Sequence, residues 1–162
     1  MSIRKGDRLP AATLLKLGAE GPAPVDLSTL TAGRKVVILA VPGAYTGVCT
    51  TAHVPSFIRV MADLRAKGVD AVICISVNDP FVMEAWGRDT GATEAGIVML
   101  ADAEGQFTRA MGMDFTAPPV GLIGRSQRYA MAVEDGVIRV LHAEDNPGQC
   151  DISAGPAMVA AL

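Results

Sequence analysis

The residues best suited to chemistry lie in the segment 41–53, where an apolar run leads through a Pro-Gly turn toward a helix. With Thr46 as N-cap, Cys49 would be the third helical residue, and the Thr46 hydroxyl would bond the Cys49 amide. Unpaired N–H groups and the helix dipole favour a thiolate in this first turn. Because a thiolate is a strong nucleophile, we predict that Cys49 attacks an electrophilic substrate atom rather than filling the core.

The partner of this nucleophile does not lie beside it in the sequence. A dithiol motif of the Cys-x-x-Cys type would need a cysteine where Thr46 stands, so exchange within the motif is excluded. The remaining cysteines are Cys74, inside an apolar run, and Cys150, inside the glycine-containing segment 146–151. We predict that the segment around Cys150 is exposed and mobile, and that Cys74 belongs to the core.

Strands and helices alternate along the chain so that Cys49 follows a buried strand. Continuous apolar runs predict strands buried on both faces, and turn-forming residues between short runs predict hairpins. The predicted strands cover 14–18, 23–27, 35–41, 69–77, 97–101, 128–133 and 137–143. The predicted helices cover 47–67, a segment that Asp79 caps with Pro80 at its first position, and 153–162.

This order of elements predicts the fold class. A strand–helix–strand unit followed by a hairpin and a helix is typical of an α/β protein with a thioredoxin-like fold. We expect a central mixed sheet flanked by helices, an N-terminal β-hairpin extension, and a single domain over 1–162. Pro55 removes a helical N–H shortly after Cys49, so the first turn of the helix should unwind at low cost.

Composition excludes several classes of function. The 162 residues carry 14 basic and 17 acidic side chains, a net charge of −3, so the chain has no basic surplus for nucleic acid or a membrane surface. No apolar run is long enough to span a bilayer, and no secretory signal follows the first residues. No metal, flavin or nucleotide motif is visible, so we predict no cofactor. We therefore expect a cytoplasmic protein with reduced cysteines.

The pattern Pro42-x-x-x-Thr46-x-x-Cys49 resembles the Pro-x-x-x-Thr/Ser-x-x-Cys signature of the peroxiredoxins. Three stretches in the same order, VPGAYTGVCTTAHVPSF, ISVNDPFVMEAWG and GRSQRYAMAVEDGVI, resemble the type II, or peroxiredoxin-5, subfamily. The resemblance extends from about residue 3 to the C-terminus. It implies a thiol-dependent peroxidase that reduces hydrogen peroxide and alkyl hydroperoxides.

The resemblance also implies a role for each matching residue. Cys49 corresponds to the peroxidatic cysteine, Thr46 to the hydroxyl that bonds the peroxide, and Pro42 to the proline that shields the sulfur. Arg128 corresponds to the arginine that holds both thiolate and peroxide, with Arg125 as the competing basic residue. These donors suit the charge that develops on the departing oxygen, and an arginine keeps its charge at every relevant pH.

The resemblance leaves three routes for resolving the sulfenic acid formed at Cys49. Cys150 matches the C-terminal resolving cysteine of the animal-like branch, and it is the predicted resolver. Cys74 matches the resolving position assigned in plant-like members. The third route is an external thiol of glutathione or glutaredoxin, and the Cys150 route implies thioredoxin as the reductant.

The resemblance further implies a homodimer that packs near the active-site loops. The apolar residues Phe81, Val82 and Trp86 are candidates for that surface, although they equally fit the inner face of a helix. Two positions depart from the family pattern. Tyr45 replaces a common Phe, and Gly47 replaces a frequent Pro, which predicts a looser loop.

Three other functions use some of the same residues. Cys49 and His53, four residues apart, could join His142 and Cys150 in a zinc site, although His53 is predicted to pack over the active-site loop. Cys49 and His142 could form an acyl-transfer dyad. The chain could also be a peroxide-sensing redox relay, which would share every residue of the peroxidase and differ only in its turnover.

Overall fold

The computed structural model describes residues 2–162. The strands are β1 (Thr13–Gly18), β2 (Gly21–Asp26), β3 (Lys35–Val41), β4 (Ala71–Ser76), β5 (Ile97–Ala101), β6 (Asp114–Ala117), β7 (Leu122–Ser126), β8 (Tyr129–Glu134) and β9 (Val137–Ala143). The α-helices are α1 (Leu27–Thr31), α2 (Val54–Arg59), α3 (Met61–Ala66), α4 (Pro80–Thr90), α5 (Gln106–Ala110) and α6 (Gly155–Ala161). A π-helical turn covers Cys49–His53, and a 3₁₀ turn covers Pro118–Val120.

Seven strands form one mixed sheet in the order β2-β1-β5-β4-β3-β8-β9, while β6 and β7 form a separate pair. Strand β3 runs parallel to β4 and antiparallel to β8. Its side chains alternate between two apolar layers, with Leu39 on the side of α2, α4 and α6 and Ile38 on the side of α1 and α5. Burial on both faces explains why β3 is apolar at every position after Lys35. These features confirm the predicted fold class.

The helix predicted over 47–67 is not continuous. It begins at Gly47, widens into the π turn, and breaks again at Val60 between α2 and α3. The cause of the first irregularity is Pro55, which has no N–H to donate within the helix. The preceding amide, that of Val54, bonds the carbonyl of Cys49, five residues back. The widened turn therefore begins at the cysteine predicted to react.

Most other boundaries agree with the sequence prediction to within about two residues. The predicted strands at 35–41 and 97–101 are reproduced, and Asp79 caps α4 by accepting the Val82 amide at 2.8 Å. The pair β6–β7 and the short helices α1 and α5 were not predicted. Within residues 2–162, no helix is both long enough and apolar enough to cross a bilayer.

The C-terminal helix packs against the helix that follows Cys49 through a glycine. The Gly155 amide donates to the Ser56 hydroxyl at 2.9 Å. A Cβ at position 155 would overlap the backbone carbonyl of Ser56, so only glycine permits this approach. The contact joins α6 to α2 behind the active-site turn.

Candidate active site

Cys49 and Arg128 meet at one edge of the sheet. Cys49 lies in the helical segment after β3, and Arg128 immediately precedes β8, the antiparallel neighbour of β3. Arg128 Nη2 donates to Cys49 Sγ across 3.1 Å. Both side chains are almost fully buried, with 1% of Cys49 and 2% of Arg128 exposed. The pairing therefore holds a cation against sulfur in a site that largely excludes water.

The guanidinium of Arg128 has three partners. Besides the sulfur, Nη1 contacts His53 Nδ1 at 3.0 Å, and Nε donates to the Pro147 carbonyl at 3.0 Å. None of these partners is a carboxylate. Each Nη nitrogen carries a second N–H, so the fork retains donors for a bound substrate.

His53 is a neutral imidazole that accepts a hydrogen bond from Arg128. Its Nε2 lies 3.0 Å from the Ser153 carbonyl, which can only accept, so Nε2 carries the proton and Nδ1 accepts from Arg128. Burial, together with the charge of Arg128, lowers the pKa of His53 to about 3. His53 was predicted to pack over the active-site loop, and its contact with Arg128 was not predicted.

The predicted N-cap bond of Thr46 is wrong. The Thr46 hydroxyl donates to the Gly43 carbonyl at 2.7 Å, while Thr46 still precedes the first helical residue, Gly47. The tight turn from Pro42 to Thr46, with Tyr45 at a positive φ of 62°, brings that carbonyl close to the hydroxyl. The local bond fixes the turn and leaves the oxygen of Thr46 free to accept.

Arg125, the competing arginine, occupies a different place. Its Nη1 donates to the Pro42 carbonyl at 3.2 Å, and its guanidinium covers Gly43 so closely that a Cβ there would collide with it. Arg125 therefore braces the loop between β3 and the helix, whereas Arg128 reaches the sulfur.

A cavity of about 570 Å³ opens above this site. Arg128 and Thr46 supply polar groups to its wall, and most of the remaining lining is apolar. The apolar lining residues are Pro42, Val48, Phe115, Ala117, Val120, Leu122 and Pro147. Strands β6 and β7, which the sequence analysis did not predict, contribute Phe115, Ala117 and Leu122 to the wall of this cavity.

Cys150 itself is half-buried, within the segment 146–151 whose other residues are mostly exposed, as predicted. Its loop is held by Glu144, whose Oε1 accepts from the Asp151 amide at 2.6 Å and from the amide and hydroxyl of Ser153, each at 2.9 Å. Burial raises the pKa of the Cys150 thiol, although a hydrogen bond with Ser153 and the charge of Arg128 oppose the shift. No sequence pattern indicated this role of Glu144. Its partners lie seven and nine residues away, outside the spacing of any regular helix or strand.

Cys74 lies in the middle of β4 and is completely buried. Burial strongly raises the pKa of its thiol. It shares an apolar layer with Cys49, between its register partners Leu39 on β3 and Met99 on β5. The prediction that Cys74 belongs to the core is confirmed by its position.

The residues proposed for a dimer surface separate into two groups. Trp86 is fully buried, and its Nε1 donates to the Thr50 hydroxyl in the π turn at 3.1 Å. Phe81, by contrast, is 59% exposed, and Val82 is half-buried. Trp86 therefore belongs to the inner face of α4, and Phe81 is the most exposed of the three.

The geometry opposes the zinc and acyl-transfer alternatives. Both ring nitrogens of His53 are already engaged, by Arg128 and by Ser153. Across residues 2–162, no three His, Cys, Asp or Glu side chains cluster as metal ligands. The side chain hydrogen-bonded to Cys49 is Arg128 rather than His142, so the proposed dyad is not formed.

Known sequences and structures match nearly the whole chain. The Redoxin family matches residues 4–157. The chain is 46% identical to the chloroplastic peroxiredoxin-2E-2 of Oryza sativa subsp. japonica, over 99% of this chain and 73% of that protein. It is 45% identical to the chloroplastic peroxiredoxin-2E of Arabidopsis thaliana, over 94% and 67% respectively.

A solved structure matches the fold equally well. Reduced Prx3 of Vibrio vulnificus, crystallised in complex with hydrogen peroxide, superposes with a TM-score of 0.90 at 44% identity and covers 98% of each chain. The matched region therefore includes nearly the whole sheet and its flanking helices.

The relatives contradict the predicted cytoplasmic location. Two of them are chloroplastic, and a third, peroxiredoxin-2F of Arabidopsis thaliana, is mitochondrial and 39% identical over 82% of this chain and 66% of that protein. The cytoplasmic prediction is therefore contradicted by these relatives.

The family match, the relatives and the structural likeness agree with one another and with the buried Cys49–Arg128 pair. A peroxide as substrate and a thiol as reductant follow from that membership. The chain belongs to the peroxiredoxins of the type II, peroxiredoxin-5-like subfamily, and is a thiol-dependent peroxidase.

Proposed function

We propose that Cys49 is the peroxidatic cysteine and that Arg128, Thr46 and Pro42 complete its site. The observation that carries this assignment is the 3.1 Å contact between Arg128 Nη2 and Cys49 Sγ. A buried guanidinium needs a negative partner, and Arg128 hydrogen-bonds no carboxylate within residues 2–162. The thiolate of Cys49 supplies that charge.

The first step is a displacement on oxygen. The Cys49 thiolate attacks the terminal oxygen of R–O–O–H, the S–O bond forms as the O–O bond breaks, and the alkoxide leaves with a proton from solvent. Sulfur is oxidised to a sulfenic acid and the peroxide is reduced to an alcohol, or to water when R is hydrogen. The free N–H groups of Arg128 can donate to the charge that develops on the oxygens, and the Thr46 oxygen can accept from the O–H of the bound peroxide.

Pro42 and the apolar wall decide what reaches the sulfur. The cavity of about 570 Å³ exceeds the size of hydrogen peroxide, and its apolar lining suits an alkyl chain. Both hydrogen peroxide and alkyl hydroperoxides are therefore substrates, with the alkyl group lying along Phe115, Val120 and Leu122.

Cys150 resolves the sulfenic acid in this proposal. Its thiolate attacks Cys49 Sγ, the S–S bond forms as the S–O bond breaks, and the departing hydroxide takes a proton from solvent to become water. Cys150 lies on a loop outside regular structure, whereas Cys74 is fixed between two paired strands. Since Cys49 is buried, the π turn must unwind before the two sulfurs meet, and the interruption at Pro55 lowers that cost.

The reductant of the resulting disulfide is a separate thiol protein. An internal disulfide is the substrate that thioredoxin reduces, and glutathione or glutaredoxin is the alternative if Cys150 does not resolve. We also propose a homodimer, in which the exposed Phe81 and the half-exposed Tyr45 lie beside the active-site loop at the interface. Residues 2–162 are proposed to act as one domain, because a single seven-stranded sheet carries both apolar layers.

A disulfide map tests the assignment. Reduced protein receives one equivalent of hydrogen peroxide, is alkylated and digested, and is analysed by mass spectrometry. We expect a Cys49–Cys150 crosslink within one chain, and no peroxide consumption by Cys49→Ser. Cys49 trapped as a sulfenic acid, with Cys150 still alkylated, would move resolution to an external thiol. Substantial activity of Cys49→Ser would overturn the assignment of the nucleophile.

A further inference from the structure

The loop 145–153 connects the predicted resolving cysteine to the arginine of the peroxide site. Two backbone carbonyls of this loop face inward: that of Pro147 accepts from Arg128 Nε, and that of Ser153 accepts from His53 Nε2. Because His53 in turn contacts Arg128 Nη1, both carbonyls fix the same guanidinium. The Arg128 side chain thus takes its orientation from a loop outside the regular structure.

Glu144 holds this loop closed. It follows β9, its amide donates to the Arg128 carbonyl at 3.0 Å, and its carboxylate is the acceptor for Asp151 and Ser153. All three hydrogen bonds converge on one oxygen, Oε1, and Glu144 is only 9% exposed. Burial opposes its ionisation, but the hydrogen bonds from Ser153 and Asp151 outweigh it and lower the pKa of Glu144. The carboxylate is therefore charged at neutral pH and binds the loop strongly.

We propose that Glu144 is a positioning residue for peroxide reduction, which acts on Arg128 through Ser153 and His53 and closes the loop that carries Cys150. The chain of contacts runs from the carboxylate to the Ser153 backbone, from its carbonyl to the imidazole, and from the imidazole to the guanidinium at the sulfur. Each link is a hydrogen bond of 3.1 Å or less.

The hydrogen bonds between Glu144 and the loop 145–153 have opposite effects on the two chemical steps, peroxide reduction and disulfide formation. This consequence rests on the proposed resolving role of Cys150. Cys150 lies between the two anchoring carbonyls, at Pro147 and Ser153, so it cannot leave its place unless the loop loosens. A closed loop orients Arg128 for the peroxide and restrains Cys150. An open loop releases Cys150 and leaves Arg128 less well oriented.

The test separates these steps in Glu144→Leu, which removes the acceptor, and in Glu144→Gln, which keeps an acceptor oxygen. Reduced protein is mixed with hydrogen peroxide and quenched with acid and an alkylating reagent at short intervals, so that loss of the Cys49 thiol and growth of the Cys49–Cys150 disulfide are timed separately. In Glu144→Leu we expect Cys49 oxidation to slow by roughly tenfold or more and disulfide formation from the sulfenic acid to accelerate by several-fold. Glu144→Gln should restore the peroxide step to within about threefold of the wild-type rate.

The outcomes are distinct from simple loss of stability, which would not change the two steps in opposite directions. Glu134→Leu, at an exposed carboxylate on the same sheet, is the matched control and should leave both rates unchanged. If Glu144→Leu does not fold, Ser153→Ala is measured instead, because it removes one of the three hydrogen bonds to Glu144. It should also slow Cys49 oxidation and accelerate disulfide formation, but by smaller factors. An unchanged rate of Cys49 oxidation in Glu144→Leu, or in Ser153→Ala where that is the variant measured, overturns the proposal. Wild-type protein that forms no Cys49–Cys150 disulfide overturns the resolving role alone, because the peroxide step still decides the role of Glu144.

Discussion

The imidazole of His53 meets the guanidinium of Arg128 as a hydrogen-bond acceptor, with Nδ1 3.0 Å from Nη1. A protonated imidazole has no lone pair at this nitrogen and would place a second positive charge beside the first. Neutrality of His53 is therefore a condition for the geometry of the peroxide site.

Acidification should destabilise the protein through His53. Its pKa is about 3 in the folded state, against 6.5 for an ordinary histidine, so between these values the unfolded state binds more protons. The stability contribution is thus fully present well above pH 6.5 and falls as the pH decreases, with a total loss of about 2 kcal/mol by pH 5. Urea unfolding at a series of pH values measures this slope. His53→Gln should show a flatter profile, and equal slopes in the two proteins would contradict the prediction.

Replacing Arg128 should slow peroxide reduction far more than replacing Arg125. Arg128→Ala removes the donor to Cys49 Sγ and the N–H groups that face the substrate, so we expect a loss on the order of 10²-fold or more in the second-order rate constant. Arg128→Lys keeps the charge but not the fork, and should recover only part of that loss. Arg125→Ala is the comparison, since that side chain contacts the Pro42 carbonyl instead. A larger effect at position 125 would reverse the assignment of the two arginines.

Gly47→Ala should stabilise the protein and slow disulfide formation. Gly47 begins the helical segment, its φ is not positive, and a Cβ there would meet no atom within 4 Å. Alanine restricts the unfolded chain and favours the helix, which should raise the free energy of unfolding by about 0.5–1 kcal/mol. Because the proposed Cys49–Cys150 disulfide requires this helical segment to unwind, it should form more slowly. Chemical unfolding and the timed quench measure the two effects, and a lower stability would show that the turn requires glycine.

Cys74→Ala should affect stability and leave the disulfide cycle intact. The side chain is fully buried between two strands, so removing its sulfur leaves a small cavity that costs about 1 kcal/mol. The Cys49–Cys150 crosslink should form at the wild-type rate. Loss of crosslinking with retained sulfenic acid would identify Cys74 as the resolving thiol instead.

The fold was predictable because its central strands are uniformly apolar, and Lys35–Val41 and Ile97–Ala101 were located to the residue. The π turn was not predicted, although Pro55 was expected to weaken the helix. Sequence periodicity does not distinguish a backbone hydrogen bond to the carbonyl five residues back from a hydrogen bond that is missing. The pair β6–β7 was missed because its four- and five-residue strands are mostly exposed or half-buried and carry little apolar pattern.

The structure brings the guanidinium of Arg128 to the sulfur of Cys49, two residues that the sequence analysis had placed in one site, but the residues that support this contact were not predicted. The spacing from Cys49 to His53 placed both on one face of a helix, but it could not show that the imidazole meets Arg128, 75 residues away. Thr46 was assigned a capping bond by its position, yet the turn offered its hydroxyl a closer acceptor in Gly43. The contacts of Glu144 depend on how a loop closes in three dimensions, and nothing in its sequence specifies that closure.

Trp86 is the single tryptophan of the chain, and its indole N–H is bonded to Thr50, the residue after Cys49. Unwinding of the π turn breaks this bond and changes the surroundings of a buried fluorophore that has no other indole to mask it. The protein thus contains its own optical probe. Conversion of the reduced protein to the proposed disulfide form can be followed by the intensity of tryptophan emission without any label.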